Sequence, residues 1–157
     1  MKIVMISHHS CIRLHKMALP LIEGGCHDVH LLANKWTSFS ENYSTFGHWL
    51  EVGQLHNLIK LHEPTTDVFH IHNEPSWFVT MVKELTDKPV VLDIHDSFAA
   101  RVTAQEADEI YEKEGKEIVR ITAEERNNFQ LADALVFPGQ GFADIIRREF
   151  DLKQPYI

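Results

Sequence analysis

The chain opens on an apolar run, K-I-V-M-I-S from Lys2 to Ser7, with no polar alternation. That pattern predicts a central parallel strand covered on both faces. From about Cys11 to Glu23, Ile12, Met17 or Ala18, Leu21 and Ile22 recur at helical spacing, and Gly24-Gly25 supplies the usual glycine stop. Val29 to Ala33 predicts a second strand. Strand, helix and strand in about 33 residues make a βαβ unit, and such crossovers are right-handed almost without exception.

The pattern then weakens. Asn34 to Gly53 is rich in Ser, Thr and aromatics and predicts a loop with one short strand near Thr45 to Trp49. Gln54 to Leu61 is helical in spacing and stops before Pro64. Asp67 to Ile71 predicts a strand, Ser76 to Leu85 a helix, and Pro89 to Ile94 a strand that Pro89 can begin without breaking a ladder. Ser97 to Asp133 is the longest helical region, bent near Gly115. Its stretch from Thr103 to Arg126 carries eight acids against four bases, the composition of a solvated face. Ala134 to Phe137 and Gln140 to Phe150 complete the chain as strand and helix. Alternating strands and helices predict a single Rossmann-like α/β domain, a doubly wound, mainly parallel sheet with helices on both faces.

Composition narrows the function classes. At 157 residues the chain is long enough for one domain with a real core. A formal charge of -8 argues against a nucleic-acid surface or an anionic-membrane anchor. No apolar run reaches transmembrane or signal-peptide length, which points to the cytoplasm, with a peripheral position at the inner face of the membrane left open. Cys11 and Cys26 would lie about 20 Å apart across the first helix, too far for a disulfide. The unusual count is histidine, with 11 residues, several of them grouped.

In open α/β sheets, ligands bind beyond the carboxyl ends of the strands where strand order reverses. The groups leaving those ends are His8, His9 and Ser10, then His72, Asn73 and Glu74, then His95, Asp96 and Ser97, then Pro138, Gly139 and Gln140. Strand alternation puts His70 and His72 on one face and Phe69 and Ile71 on the other, and it pairs Asp93 with His95. His72, at the strand end, is the better ligand contact, and His70 one pleat deeper reads as a hydrogen-bonded core histidine.

Several chemistries compete for this edge. H-x-H on a strand is how some metallohydrolases begin, but H-E-x-x-H, paired C-x-x-C and D-x-D are all missing, so no metal is expected. S-H-H-S-C-I stands where a dinucleotide fingerprint would follow the first strand, and there is no Walker A sequence. G-Q-G-F at Gly139 to Phe142 can present amides to an anion but equally makes a tight turn. No nucleophile elbow occurs, and Cys11 reads as a helix-start residue rather than a thiolate. His95-Asp96 and Asn73-Glu74 can hydrogen-bond a polyhydroxylated ligand or supply a general base without a metal.

The segments M-K-I-V-M-I-S, R-L-H-K-M-A-L-P-L-I-E-G-G-C-H-D-V-H-L-L, D-V-F-H-I-H-N-E-P-S-W, P-V-V-L-D-I-H-D and E-R-N-N-F-Q-L-A-D-A-L-V-F-P-G-Q-G-F resemble, in order, the N-terminal domain of family 4 glycosyltransferases. That family has the GT-B fold, two Rossmann-like domains facing across a cleft. The resemblance implies a nucleotide-sugar donor held mainly by the second domain and a carbohydrate or lipid-linked acceptor held mainly by the first. It implies transfer with retention and without a metal or other cofactor. The resemblance puts His95 near the transferred sugar and His8 to Ser10 near donor phosphate or acceptor, and joined to the strand-edge reading it makes His95 and Asp96 the catalytic candidates. His8, His9, Ser10, His72, Asn73, Glu74, Gly139 and Gln140 are the substrate-binding ones. Two departures stand out: S-H-H-S replaces the paired glycines common in the first loop, and a full enzyme would need roughly twice this length. The expectation is therefore an acceptor-side half, inactive alone, completed by a C-terminal domain or by a second chain. The alternatives are a stand-alone binding or regulatory module that pairs with another chain, and a small metal-dependent hydrolase.

Overall fold

The computed structural model describes residues 1–7, 12–33, 44–45, 52–72, 77–97 and 123–157. Six parallel strands form one sheet: β1 (Lys2–Ser7), β2 (Asp28–Ala33), β3 (Ser44–Thr45), β4 (Val68–His72), β5 (Val90–Asp93) and β6 (Ala134–Val136). Their order across the sheet is β3-β2-β1-β4-β5-β6. Strand order reverses between β1 and β4, so the chain has the doubly wound, Rossmann-like α/β fold that its pattern predicts.

Helices α1 (Ile12–Glu23), α2 (Val52–His62), α3 (Phe78–Leu85), α4 (residues 123–131) and α5 (Gln140–Phe150) connect and cover the strands. Pro20 lies inside α1, where it removes one helical donor, but it is on the exposed side and the helix continues to Glu23. Gly25 then ends the helix at φ +63°, a left-handed conformation that only glycine adopts without a side-chain penalty.

Alternation along the strands divides the core in two. Val4, Ile6, Phe69, Ile71, Val90, Leu92 and Leu135 join Leu55 and Ile59 of α2, Phe78 and Val82 of α3, Phe129 and Ala132 at α4, and Ile146 and Phe150 of α5. On the other face, Ile3, Met5, Leu31 and Ala33 pack with Leu14 and Ala18 of α1 in a smaller cluster. Helices thus cover both faces, as a parallel sheet requires. The second face changes character past β1, where His70, His72 and Asp93 stand among the half-buried Val68 and Val91.

The register refines several boundaries. His72 belongs to β4, paired with Asp93, instead of leaving the strand end. α2 begins at Val52 and runs to His62, and α3 begins at Phe78. Of the predicted strand at 45–49, only Thr45 is described, in β3 with Ser44, and 46–49 lie outside the described residues. Most of the long region from Ser97 to Asp133, including its bend at Gly115, also lies outside them. Glu125 departs from the solvated face expected of that region. It is 7% exposed and shares a buried stripe with Asn128, Phe129 and Ala132, and Ser97 Oγ donates to its Oε2 at 3.1 Å. The stripe follows helical spacing, so one face of the acidic stretch turns inward.

At its end the chain returns to the sheet. Leu135 N donates to Pro155 O at 3.0 Å, Ile157 N to Leu135 O at 3.0 Å, and Phe137 N to Ile157 O at 2.9 Å. Tyr156 makes a parallel bridge to Leu135, and its ring lies under the Arg147 guanidinium at 4.1 Å. Among the described residues no helix is long and apolar enough to cross a membrane.

Candidate functional site

The polar cluster at the carboxyl edge is built around Asp93, the last residue of β5, whose side chain is wholly buried. A buried carboxylate needs a countercharge and hydrogen bonds to stay ionised. Both come from Arg13 in the first turn of α1: its Nε donates to Asp93 Oδ2 at 2.8 Å and its Nη2 to Oδ1 at 2.6 Å. This two-pronged fork is the strong geometry for a guanidinium and a carboxylate. It ties the helix after β1 to the end of β5, across the point where strand order reverses.

Three imidazoles surround the same carboxylate. His72 Nε2 lies 3.7 Å and His95 Nδ1 3.9 Å from Asp93 Oδ2. The His72 ring stands edge-on to His95 with centroids 5.4 Å apart, and it stacks on His70 at 6.0 Å. His70 and His72 are buried at 8% and 2% exposure, and the His95 side chain is one-third exposed. Burial pushes the His72 imidazole down to about 3; Asp93 opposes this, and His70, His95 and Arg13 add to it. His70 is lowered by the same burial, again against the pull of Asp93. Both rings are therefore neutral at pH 7, each offering a lone pair on one nitrogen.

The expectation that His72 faces ligand at the rim with His70 packed behind does not match these burials, since His72 is the more enclosed of the two. The reason is register: pairing with Asp93 draws His72 into the sheet. His95 holds the rim position, with Asp96 half-buried beside it. His8, His9, Ser10, Asn73 and Glu74 lie outside the described residues. Gly139 and Gln140 sit at the same sheet edge, after β6. Gly139 takes an extended backbone, and a Cβ there would meet nothing within 4 Å. The Gln140 amide donates to Asp144 Oδ1 at 2.6 Å and to the Tyr156 hydroxyl at 3.1 Å, so its side chain is engaged with α5 and the tail.

Sequence reasoning missed Arg13. An aspartate in the strand run P-V-V-L-D was the signal, because a carboxylate there needs a cation, and the first turn of the β1–α1 unit is the nearest element to supply one. The donor set His70, His72 and Asp93 brings one ligand atom from each within 4.8 Å of the others, a grouping that H-x-H alone did not specify.

A Rossmann-like α/β sheet with a histidine–carboxylate cluster at its carboxyl edge is the class that fold and site define. No protein-family model matches the chain, and no curated protein matches it at a significant level.

Proposed function

We propose that this chain is the acceptor-side, N-terminal domain of a retaining glycosyltransferase that takes its sugar from a nucleotide-sugar. The observation that carries the reading is the position of the resembling segments. D-V-F-H-I-H contains β4, and V-V-L-D-I-H-D runs through β5 to the rim, so His72 and His95 meet beside the reversal point. His95 and Asp96 have the exposure to reach a sugar hydroxyl, and the Arg13–Asp93 fork ties α1 to the base of the edge. Transfer requires donor and acceptor to be held together in one geometry. In this reading a donor-binding half, in the same longer polypeptide or in a second chain, completes the cleft. The partners are a nucleotide-sugar and a carbohydrate or lipid-linked acceptor, with the site on the cytoplasmic side.

The test uses residues 1–157 in solution. Amide NMR titration with mono- and disaccharides is expected to shift the signals of His95, Asp96 and their neighbours at millimolar concentrations. Replacing His95 with Ala should abolish those shifts. Incubation with a panel of nucleotide-sugars should give neither hydrolysis nor transfer. Turnover by this chain alone, or carbohydrate shifts confined to another part of the fold, would overturn the reading.

A further inference from the structure

Three buried imidazole nitrogens crowd one carboxylate without a hydrogen-bond partner: His70 Nε2, His72 Nε2 and His95 Nδ1. Buried histidines ordinarily spend each ring nitrogen on a protein group or an ordered water. Here His72 Nε2 and His95 Nδ1 lie 3.7 and 3.9 Å from the same Asp93 oxygen, and one ligand atom from each of His70, His72 and Asp93 lies within 4.8 Å of the others. We propose that His70, His72 and Asp93 form a binding site for a divalent transition ion of the zinc class. The inference is independent of the glycosyltransferase reading.

The chemistry of the donor set selects the ion. Two neutral imidazoles and a carboxylate suit zinc and its neighbours, whereas calcium and magnesium take all-oxygen shells. Zinc bonds of about 2.0–2.2 Å put tetrahedral donors about 3.4 Å apart, so the three groups close in by side-chain rotation without moving the sheet. His95 Nδ1, 3.9 Å from the same Oδ2 on a side chain that is one-third exposed, is within reach of the fourth position.

Arg13 sets the terms of binding. Its fork uses one lone-pair site on each Asp93 oxygen, and an ionised carboxylate offers about four. The ion therefore has a lone pair to bind on the His72 side, but it meets a fixed positive charge across the carboxylate. Ion and guanidinium compete for Asp93, and the Arg13 side chain, 29% exposed, can retreat toward solvent. Removing Arg13 should therefore strengthen metal binding while removing either histidine weakens it, an opposition that surface histidines cannot mimic.

The experiment is a titration of the chelator-treated chain with Zn²⁺ by calorimetry and with Co²⁺ by visible absorption. Expected are one equivalent per chain and the intense d–d bands of a four- or five-coordinate site. His70→Asn and His72→Asn, checked for folding by circular dichroism, should each weaken Zn²⁺ binding by at least about tenfold. Arg13→Gln should tighten it by about tenfold, and Zn²⁺ should raise that variant's melting temperature more than the wild type's. The half-buried pair His30 and His62, remote in sequence from Asp93 and with ring centroids 5.2 Å apart, is the control. His30→Asn should leave the affinity unchanged. The proposal fails if the wild type takes up no stoichiometric Zn²⁺ at micromolar concentration. It also fails if binding survives in the folded His70 and His72 variants, or is lost with His30. Should the histidine variants not fold, weaker or equal binding by Arg13→Gln would by itself overturn it.

Discussion

Asp93 is the residue on which the carboxyl edge depends, because its charge is fully enclosed and its partner is not. Replacing Arg13 with Ala leaves that charge buried and unpaired. Breaking such a pair costs about 3–5 kcal/mol, and Arg13 should fall at the lower end, about 3 kcal/mol, since water can follow the lost side chain. Urea denaturation of the wild type and of Arg13→Ala measures the difference directly. His72 gives a second test, through pH. Its folded value, about 3, lies below the ordinary 6.5, so the unfolded chain takes up the proton first. Its contribution to stability is complete above about pH 6.5 and shrinks as pH falls toward 3. Between pH 6.5 and 5 the chelator-treated protein should lose about 2 kcal/mol from this residue, and His72→Gln should flatten the slope of unfolding free energy against pH. At this scale the sequence was half legible. Strand alternation placed His70 and His72 together and opposite Phe69 and Ile71, which needs only the two-residue repeat. The Arg13–Asp93 fork joins residues 80 positions apart, and no local pattern encodes such a pair.

Elements were legible where their periodicity was strong. α5 follows the predicted span, Gln140 to Phe150, through its helical repeat, and β1 follows Lys2 to Ser7 through its unbroken apolar run. Ends were less legible, since they depend on pairing partners: His72 extends β4 because Asp93 stands opposite. The inward stripe of α4 was masked by its charge, although Glu125, Asn128, Phe129 and Ala132 keep helical spacing. The junction between α4 and β6 is tied by Asp133. Its Oδ2 accepts from Lys83 Nζ at 2.6 Å and from Val90 N at 2.7 Å, joining α3 and β5 to the start of β6. Burial alone would raise the Asp133 carboxyl, but the Lys83 hydrogen bond and the Val90 amide hold it below the ordinary range. The side chain is half exposed, so the expected cost of Asp133→Ala is small, about 1 kcal/mol. Hydrogen exchange should localise the loosening to the first residues of β5 and β6, and loss confined elsewhere would contradict this role.

The whole sheet was readable from strand–helix alternation, because right-handed crossovers leave few orders for such a chain. The return of the tail to the sheet was not, as three residues carry no periodic signal. That tail has a consequence for behaviour in concentrated solution. An open strand edge presents unpaired amides and carbonyls to any passing strand, and proteins commonly shorten or cover such edges. At the other edge of the described sheet from β3, Pro155–Ile157 occupies the edge of β6 with three backbone hydrogen bonds. Deleting residues 155–157 should bare Leu135 and Phe137 and produce concentration-dependent self-association in sedimentation velocity, while the intact chain keeps a constant sedimentation coefficient. That outcome would make residues 155–157, in colloidal terms, a guard against strand-to-strand aggregation.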